Sequence, residues 1–296
     1  MLGRFGKGAG SLLGVEIATD SIRMLQVRRH RGRCQVVGWV RETIVPPLRG
    51  PHLLDESERL LNALRQAHGR CATRQRQVAL ALPASQVICK VLRLPVGVSD
   101  PDAEAQLLDQ ADQLFPFPLD DLALDFQVLG LSAEHPGHAD VLVAACRQSQ
   151  IDPLEQLFGQ AGLQVQAMEV DSIALRRAMP SLPVRTTALL QLERNEAVLH
   201  RLQDAVPPHR QQVVLASPDG WLEPVERLCT QGGVGEVVLV GGAADDQRAS
   251  ALAERLKVAC RMAVGSDFSG LAMGREAKAL DASMALACGL ALGGLH

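Results

Sequence analysis

From Leu12 onward the chain alternates short apolar runs with polar turns, and it does so in two rounds. The first round opens on three runs in quick succession, Leu12–Ile17, Ile22–Val27 and Cys34–Val40, parted by the turn Ala18–Ser21 and a basic turn around Gly32. Apolar runs of this length between turn residues predict strands, here a β-meander. In Asp55–Ala67 the apolar positions shift to helical spacing, with Leu60, Leu61 and Leu64 on one face and Gly69 as the stop. Strands are predicted at Gln77–Leu82 and Ser85–Arg93. Ser99 and Pro101 then supply an N-cap and a first-turn proline for a helix reaching Asp112. The two prolines of Phe115–Pro118 end it, because neither can continue a helix. Two more strands, Leu122–Leu129 and Ala139–Ala145, lead to a helix predicted to start at Asp152–Pro153 and run to Gly162. Strand Leu163–Glu169 and a helix over Asp171–Arg177, stopped by Pro180, complete the round.

The second round follows the linker candidate Pro180–Pro183. Strands are predicted at Thr187–Leu192, Ala197–Leu202 and Gln211–Ala216, a helix at Glu223–Gln231, and a short apolar strand at Glu236–Val240. A helix over Asp245–Lys257, a strand at Cys260–Val264 and a closing helix of small residues, Asp281–Gly289, finish the chain. A strand meander with crossover helices, given twice, predicts an α/β protein with a mixed sheet in each of two lobes.

Composition narrows the function classes. The 296 residues suffice for a sizeable core without staples. Aromatic residues are 3% and Tyr is absent, which argues against a base-stacking or carbohydrate platform. The net charge of -3 gives no reason to expect a polyanionic partner, and nucleic acid is excluded on both counts. The basic run Arg28–Arg33 reads as a solvated hairpin turn. Seven scattered Cys form no Cys-x-x-Cys pair and read as small buried hydrophobes, in keeping with a reducing compartment. The Gly-rich leader (Gly3, Gly6, Gly8, Gly10) is too polar for a signal peptide, and no apolar run approaches the ~20 residues of a membrane span.

Two segments carry candidate chemistry. Gly14–Val27 (GVEIATDSIRMLQV) is a strand, a small-residue turn and a returning strand, which can aim backbone N–H groups at phosphate. Glu16, Ala18, Thr19, Asp20 and Ser21 are the candidate positions. Val237–Ala243 (VVLVGGA) delivers Gly241, Gly242 and Ala243 from a buried strand into a helix, so a flat ligand could approach the backbone there. His135 and His138 sit in a turn and read as solvated. Gly232–Gly235 lacks the strand–helix context of a dinucleotide fingerprint.

In this order, with Phe115–Gly130 (FPFPLDDLALDFQVLG), Ala139–Arg147 (ADVLVAACR), Ala161–Ala178 (AGLQVQAMEVDSIALRRA) and Cys288–Leu292 (CGLAL) between and after them, the segments resemble the PilM family of type IV pilus assembly proteins. The resemblance implies an actin-like (ribonuclease H-like) bilobed fold with an extra subdomain inserted in the first lobe. It implies a first lobe over 1–183 with a partner-binding insertion at about 86–147, and a shortened second lobe over 184–296 whose terminal helix packs back on the first. It further implies a cytoplasmic scaffold, peripheral to the inner membrane through its partners. Those partners are the cytoplasmic tail of a PilN-like membrane protein, taken by Phe115, Phe117, Leu119 and Leu122, and the pilus motor ATPases.

The sequence departs from the family at its phosphate loops. An Asp-Ile-Gly start is replaced by Glu16, Ile17 and Ala18. The first strand after the linker, TALLQLER, has neither the Asp nor the Gly of a second loop, and Glu193 is the nearest acid. Each charge-assisted hydrogen bond lost is worth about 1.5–3 kcal/mol, so two losses weaken nucleotide affinity by roughly a hundredfold or more. The expectation is no catalysis and no cofactor beyond weak ATP and Mg²⁺. The alternatives are an active actin-like ATPase, or the platform module of a type II secretion or DNA-uptake system.

Overall fold

The computed structural model describes residues 11–31, 33–48, 53–183, 186–202, 209–231, 233–268, 271 and 280–295. The Gly-rich leader, Gly32, Gly232 and part of the Pro46–Pro51 loop lie outside them. In chain order the first half gives β1 (Leu13–Ile17), β2 (Ser21–His30), β3 (Arg33–Thr43), α1 (Ser57–Arg70), β4 (Gln77–Leu82), β5 (Ile88–Pro95), α2 (Asp100–Asp109), α3 (Ala111–Leu114), β6 (Leu122–Leu131), β7 (His138–Arg147), α4 (Gln148–Gln160), β8 (Gln164–Val170) and α5 (Asp171–Ala178). The second half gives β9 (Thr187–Leu192), β10 (Glu196–Arg201), β11 (His209–Val214), α6 (Leu222–Thr230), β12 (Glu236–Val240), α7 (Asp246–Leu256), β13 (Ala259–Met262) and α8 (Ala285–Gly293).

These elements make three sheets. The first runs β3-β2-β1-β4-β8, an antiparallel meander continued by parallel strands. The second, β11-β10-β9-β12-β13, repeats that pattern. The third, β5-β7-β6, is antiparallel and is inserted between β4 and α4. It has its own core, in which Leu94, Ala103, Leu107, Ala111 and Phe115 pack on Val141, Val143 and Ala145.

Several element boundaries differ from the pattern reading, and three of them show a physical reason. The β2–β3 hairpin continues through Arg28, Arg29 and His30, which pair in register with Gln35, Cys34 and Arg33. These residues are past the core, so the ladder goes on where the hydrophobic signal stops. The helix placed at Asp152 starts instead at Gln148, with Pro153 inside it. Its cap is not local: the Asp121 carboxylate, from the insert, accepts the Ser149 N–H at 2.8 Å and pairs with Arg147 at 3.0 Å. The closing helix begins later than expected. Asp281 caps a single 3-10 turn by accepting the Ser283 N–H at 2.8 Å, and α8 follows.

Helix α8 is ALACGLALG, buried along its whole length, and it lies against β1, β2, β4 and α5. Such an approach needs missing side chains. A Cβ on Gly289 would fall on the Ala174 carbonyl in α5, and one on Gly14 in β1 would fall on the Ala287 carbonyl. The helix is tied to the second lobe too, because Ala282, just before it, accepts the Gly241 N–H at 3.0 Å.

Candidate functional site

The register of the β1–β2–β3 meander sets Glu16 opposite Arg23, and Arg23 opposite Arg41, so the three side chains form a row across the first sheet. The β9–β10 turn of the second sheet brings Glu193 to that row. Arg23 Nη1 and Nη2 donate to the two carboxylate oxygens of Glu193, both at 2.7 Å, and Nη1 also donates to Glu16 Oε1 at 3.0 Å. Gln191 Nε2 donates to the same Glu16 oxygen at 3.0 Å. Arg23 is 0% exposed, and Glu16 and Glu193 are 5%. The cleft between the two main sheets is thus filled by one guanidinium and two carboxylates from the protein itself.

The backbone donors predicted to receive phosphate are also engaged. Ala18 N–H is taken by the Ser21 carbonyl at 2.9 Å. Gly241 N–H goes to Ala282, and Ala243 N–H goes to the Leu192 carbonyl, each at 3.0 Å. Gly242 N–H is shared between the two oxygens of Glu193 at 3.1 and 3.2 Å. The Thr19 hydroxyl donates across the cleft to Asn195 Oδ1 at 3.1 Å, and the Ser21 hydroxyl donates to Asp20 Oδ1 at 2.9 Å. The structure therefore gathers Glu16, Ala18, Thr19, Gly241 and Gly242 around one cleft, together with Arg23, Arg41, Gln191 and Asn195, which the sequence reading passed over. Glu193, noted there as the nearest acid, is the residue that joins the lobes. The signal for Arg23 lay in the Gly14–Val27 motif itself. Arg23 is the one charge in the apolar run Ile22–Val27 and stands in hairpin register with Glu16.

Burial sets the electrostatics. Desolvation pushes the Glu16 carboxyl up to about 7, against the opposing pull of Arg23 and with added push from Glu193. Arg23 loses some basicity to burial, but the two carboxylates outweigh it and hold the guanidinium above its usual range. A folded-state value above the unfolded one means that the fold holds the extra proton. The Glu16 contribution to stability is greatest below about 4.5 and falls as pH rises toward 7, by up to ~1.4 kcal/mol per unit. Glu16→Gln is expected to remove this slope and to raise stability at pH 8 by up to about 3 kcal/mol. The measurement is the variant-minus-wild-type difference in urea unfolding between pH 5 and pH 8. Subtraction cancels the contribution of His200, which burial lowers to about 4 and which works in the opposite sense between 6.5 and 4.

The four candidate partner-binding residues are divided. Phe115 is 3% exposed in the core of the insert, with Lys90 Nζ 5.6 Å over its ring, so a ligand would not reach it from outside. Phe117 and Leu122 pack partly buried against that core. Leu119 is 60% exposed. A crevice of about 10 Å³ lies between the inserted sheet and the edge of the first sheet, lined by Leu82, Val87, Ala144, Cys146, Met168 and Val170 with the carboxylates of Asp125 and Glu169. Glu169 is held by Arg177, which also donates to the Gly289 carbonyl at 3.1 Å.

The chain is similar to known proteins in sequence and in fold. The sequence model for the family described as type IV pilus assembly protein PilM matches residues 14–198. Among solved structures, a PilM-PilN type IV pilus biogenesis complex aligns at a TM-score of 0.70 and 20% identity, covering 97% of this chain and 99% of that one. The ethanolamine utilization protein EutJ from Carboxydothermus hydrogenoformans aligns at 0.54 and 9% identity, covering 96% and 90%. The cytoplasmic domain of EpsL, an inner membrane component of the type II secretion system of Vibrio cholerae, reaches 0.48 and 14%, covering 95% and 94%. The fold is the actin-like one, bilobed, with the β5-β7-β6 unit inserted in the first lobe.

Proposed function

The chain belongs to the PilM family of type IV pilus assembly proteins, and from that premise we propose that it is a non-catalytic scaffold whose insert grips the cytoplasmic tail of a PilN-like membrane protein. The observation that carries the non-catalytic half is Arg23, bound to both Glu16 and Glu193 in the middle of the cleft. Phosphoryl transfer depends on positioned donors and on metal-held charge. Here the donors at Ala18, Gly241, Gly242 and Ala243 are used within the chain. A guanidinium lies between the two acids, where a divalent cation would have to enter. With this arrangement the protein turns over no ATP.

The tail-binding half draws support from the alignment with the PilM-PilN complex over 97% of this chain, and from the chemistry of the insert. Residues 88–147 carry ten Asp and Glu against three Lys and Arg, although the whole chain is nearly neutral. Seven of the large apolar residues that stand exposed are there as well: Val91, Val96, Leu108, Leu119, Val128, Leu129 and Leu131. An acidic surface with exposed apolar side chains and two sheet edges that have no strand partner among the described residues suits an extended segment that mixes apolar and basic residues. Among the described residues no helix is long and apolar enough to cross a membrane, so on this reading the tail is what holds the scaffold to the inner membrane.

The test is fluorescence anisotropy with a labelled N-terminal peptide of a PilN-like protein. Saturable binding is expected, weakened about tenfold by Leu119→Asp, a loss of roughly 1.4 kcal/mol. Absence of binding to the wild-type chain would count decisively against the tail-binding half.

A further inference from the structure

We propose that the interlobe cleft is an oxyanion site already occupied by the protein's own Glu193, which bolts the lobes shut without an external ligand. The donor set is that of a small-anion site. It comprises the two parallel N–H groups of Arg23, each 2.7 Å from a carboxylate oxygen, and the Gly242 N–H, shared between those same oxygens at 3.1 and 3.2 Å. A guanidinium fork combined with a backbone N–H recognises the oxygens of carboxylate and phosphate alike. The site is closely fitted around its occupant. A Cβ on Gly242 would overlap Arg23 Nη2 and come within 3.0 Å of Glu193 Oε2, and one on Gly241 would come within 2.8 Å of Glu193 Oε1.

The occupant also crosses between lobes. Glu193 and Gly242 belong to the second sheet and its connections, whereas Arg23 belongs to the first. The same seam holds the Arg41 Nη2 bond to the Gly242 carbonyl at 3.3 Å and the Thr19–Asn195 bond. It also holds the Asp171–Arg210 ion pair at 3.1 Å. One guanidinium serves two carboxylates, and Glu16 Oε2 and Arg23 Nε are left without partners. The Arg23 fork and the Gly242 N–H are already taken by Glu193, so an external anion reaches them only where Glu193 leaves. The inference concerns the cleft alone, and its test makes no use of a tail peptide.

The test is chemical rescue. Glu193→Ala is expected to lower Tm by roughly 10 °C in chloride. Inorganic phosphate or acetate, added at matched ionic strength, is expected to restore several degrees saturably. The wild type should shift no more than general salt exclusion produces. Glu193→Gln fills the same space with one acceptor oxygen for the Gly242 N–H; it should fold with an intermediate Tm and show no anion response. Rescue of the Ala variant by either anion supports the proposal. It is overturned if that variant stays unfolded at every anion concentration, or if its response equals that of the wild type or of Glu193→Gln.

Discussion

Arg23→Met is expected to lower the stability of the folded chain by about 3–5 kcal/mol in urea unfolding at neutral pH, the range for removing one partner of a buried ion pair. The methionine fills much of the same volume, so the loss is electrostatic. Glu16 and Glu193 are left facing each other at 5% exposure, hydrogen-bonded to Gln191 and to the Gly242 N–H, with Arg41 as the nearby cation. Part of the deficit is relieved by protonation, so it should shrink as pH is lowered toward 5. Removing all the charge should recover most of what was lost. The triple variant Glu16→Gln, Arg23→Met, Glu193→Gln is expected within about 2 kcal/mol of wild type, because a buried ion pair and a neutral replacement of the same shape often come out nearly even. If Arg23→Met alone is neutral, the guanidinium is not what joins the lobes.

Gly289→Val is expected to cost more than about 4 kcal/mol, enough to leave the protein insoluble or unfolded when expressed. The new Cβ would meet the carbonyl oxygen, carbonyl carbon and Cα of Ala174 in α5, all main-chain atoms that cannot rotate away. Helix α8 would have to lift off. With it would go the packing of Leu286, Leu290 and Ala291 against the first lobe, and the Ala282–Gly241 bond to the second. Gly159 in α4 provides the control, since nothing lies within 4 Å of a Cβ there. Gly159→Ala should be neutral or slightly stabilising by helix propensity. Soluble expression and thermal unfolding separate the two variants.

Much of the architecture could be read from pattern alone, because the apolar runs coincide with strands buried on both faces. Gln77–Leu82, Thr187–Leu192 and Glu236–Val240 fall where the periodicity puts them. What pattern missed depended on contacts distant in sequence. The start of α4 is fixed by Asp121, from the turn that precedes β6, and no residue near Gln148 announces it. The site shows the same division. Glu16 and the Gly241–Gly242 turn were visible as motif fragments. Arg23, the partner of Glu16, was hidden inside a strand whose neighbours Ile22, Met24 and Leu25 are all core. Hairpin register alone would have paired it with Glu16, but Glu193 lies 170 residues away along the chain and only the folded lobes bring it there. Phe115 shows the opposite error. The family resemblance implied a contact with the partner tail there, and the fold uses the side chain to fill the core of the insert.

Calorimetric titration of the purified chain with Mg-ATP tests most directly whether its own charges keep nucleotide out of the cleft. Our account predicts no saturable heat at millimolar nucleotide and no phosphate release over hours, from the same sample that binds the tail peptide. Saturable binding of Mg-ATP, or hydrolysis that Glu16→Gln abolishes, would contradict it.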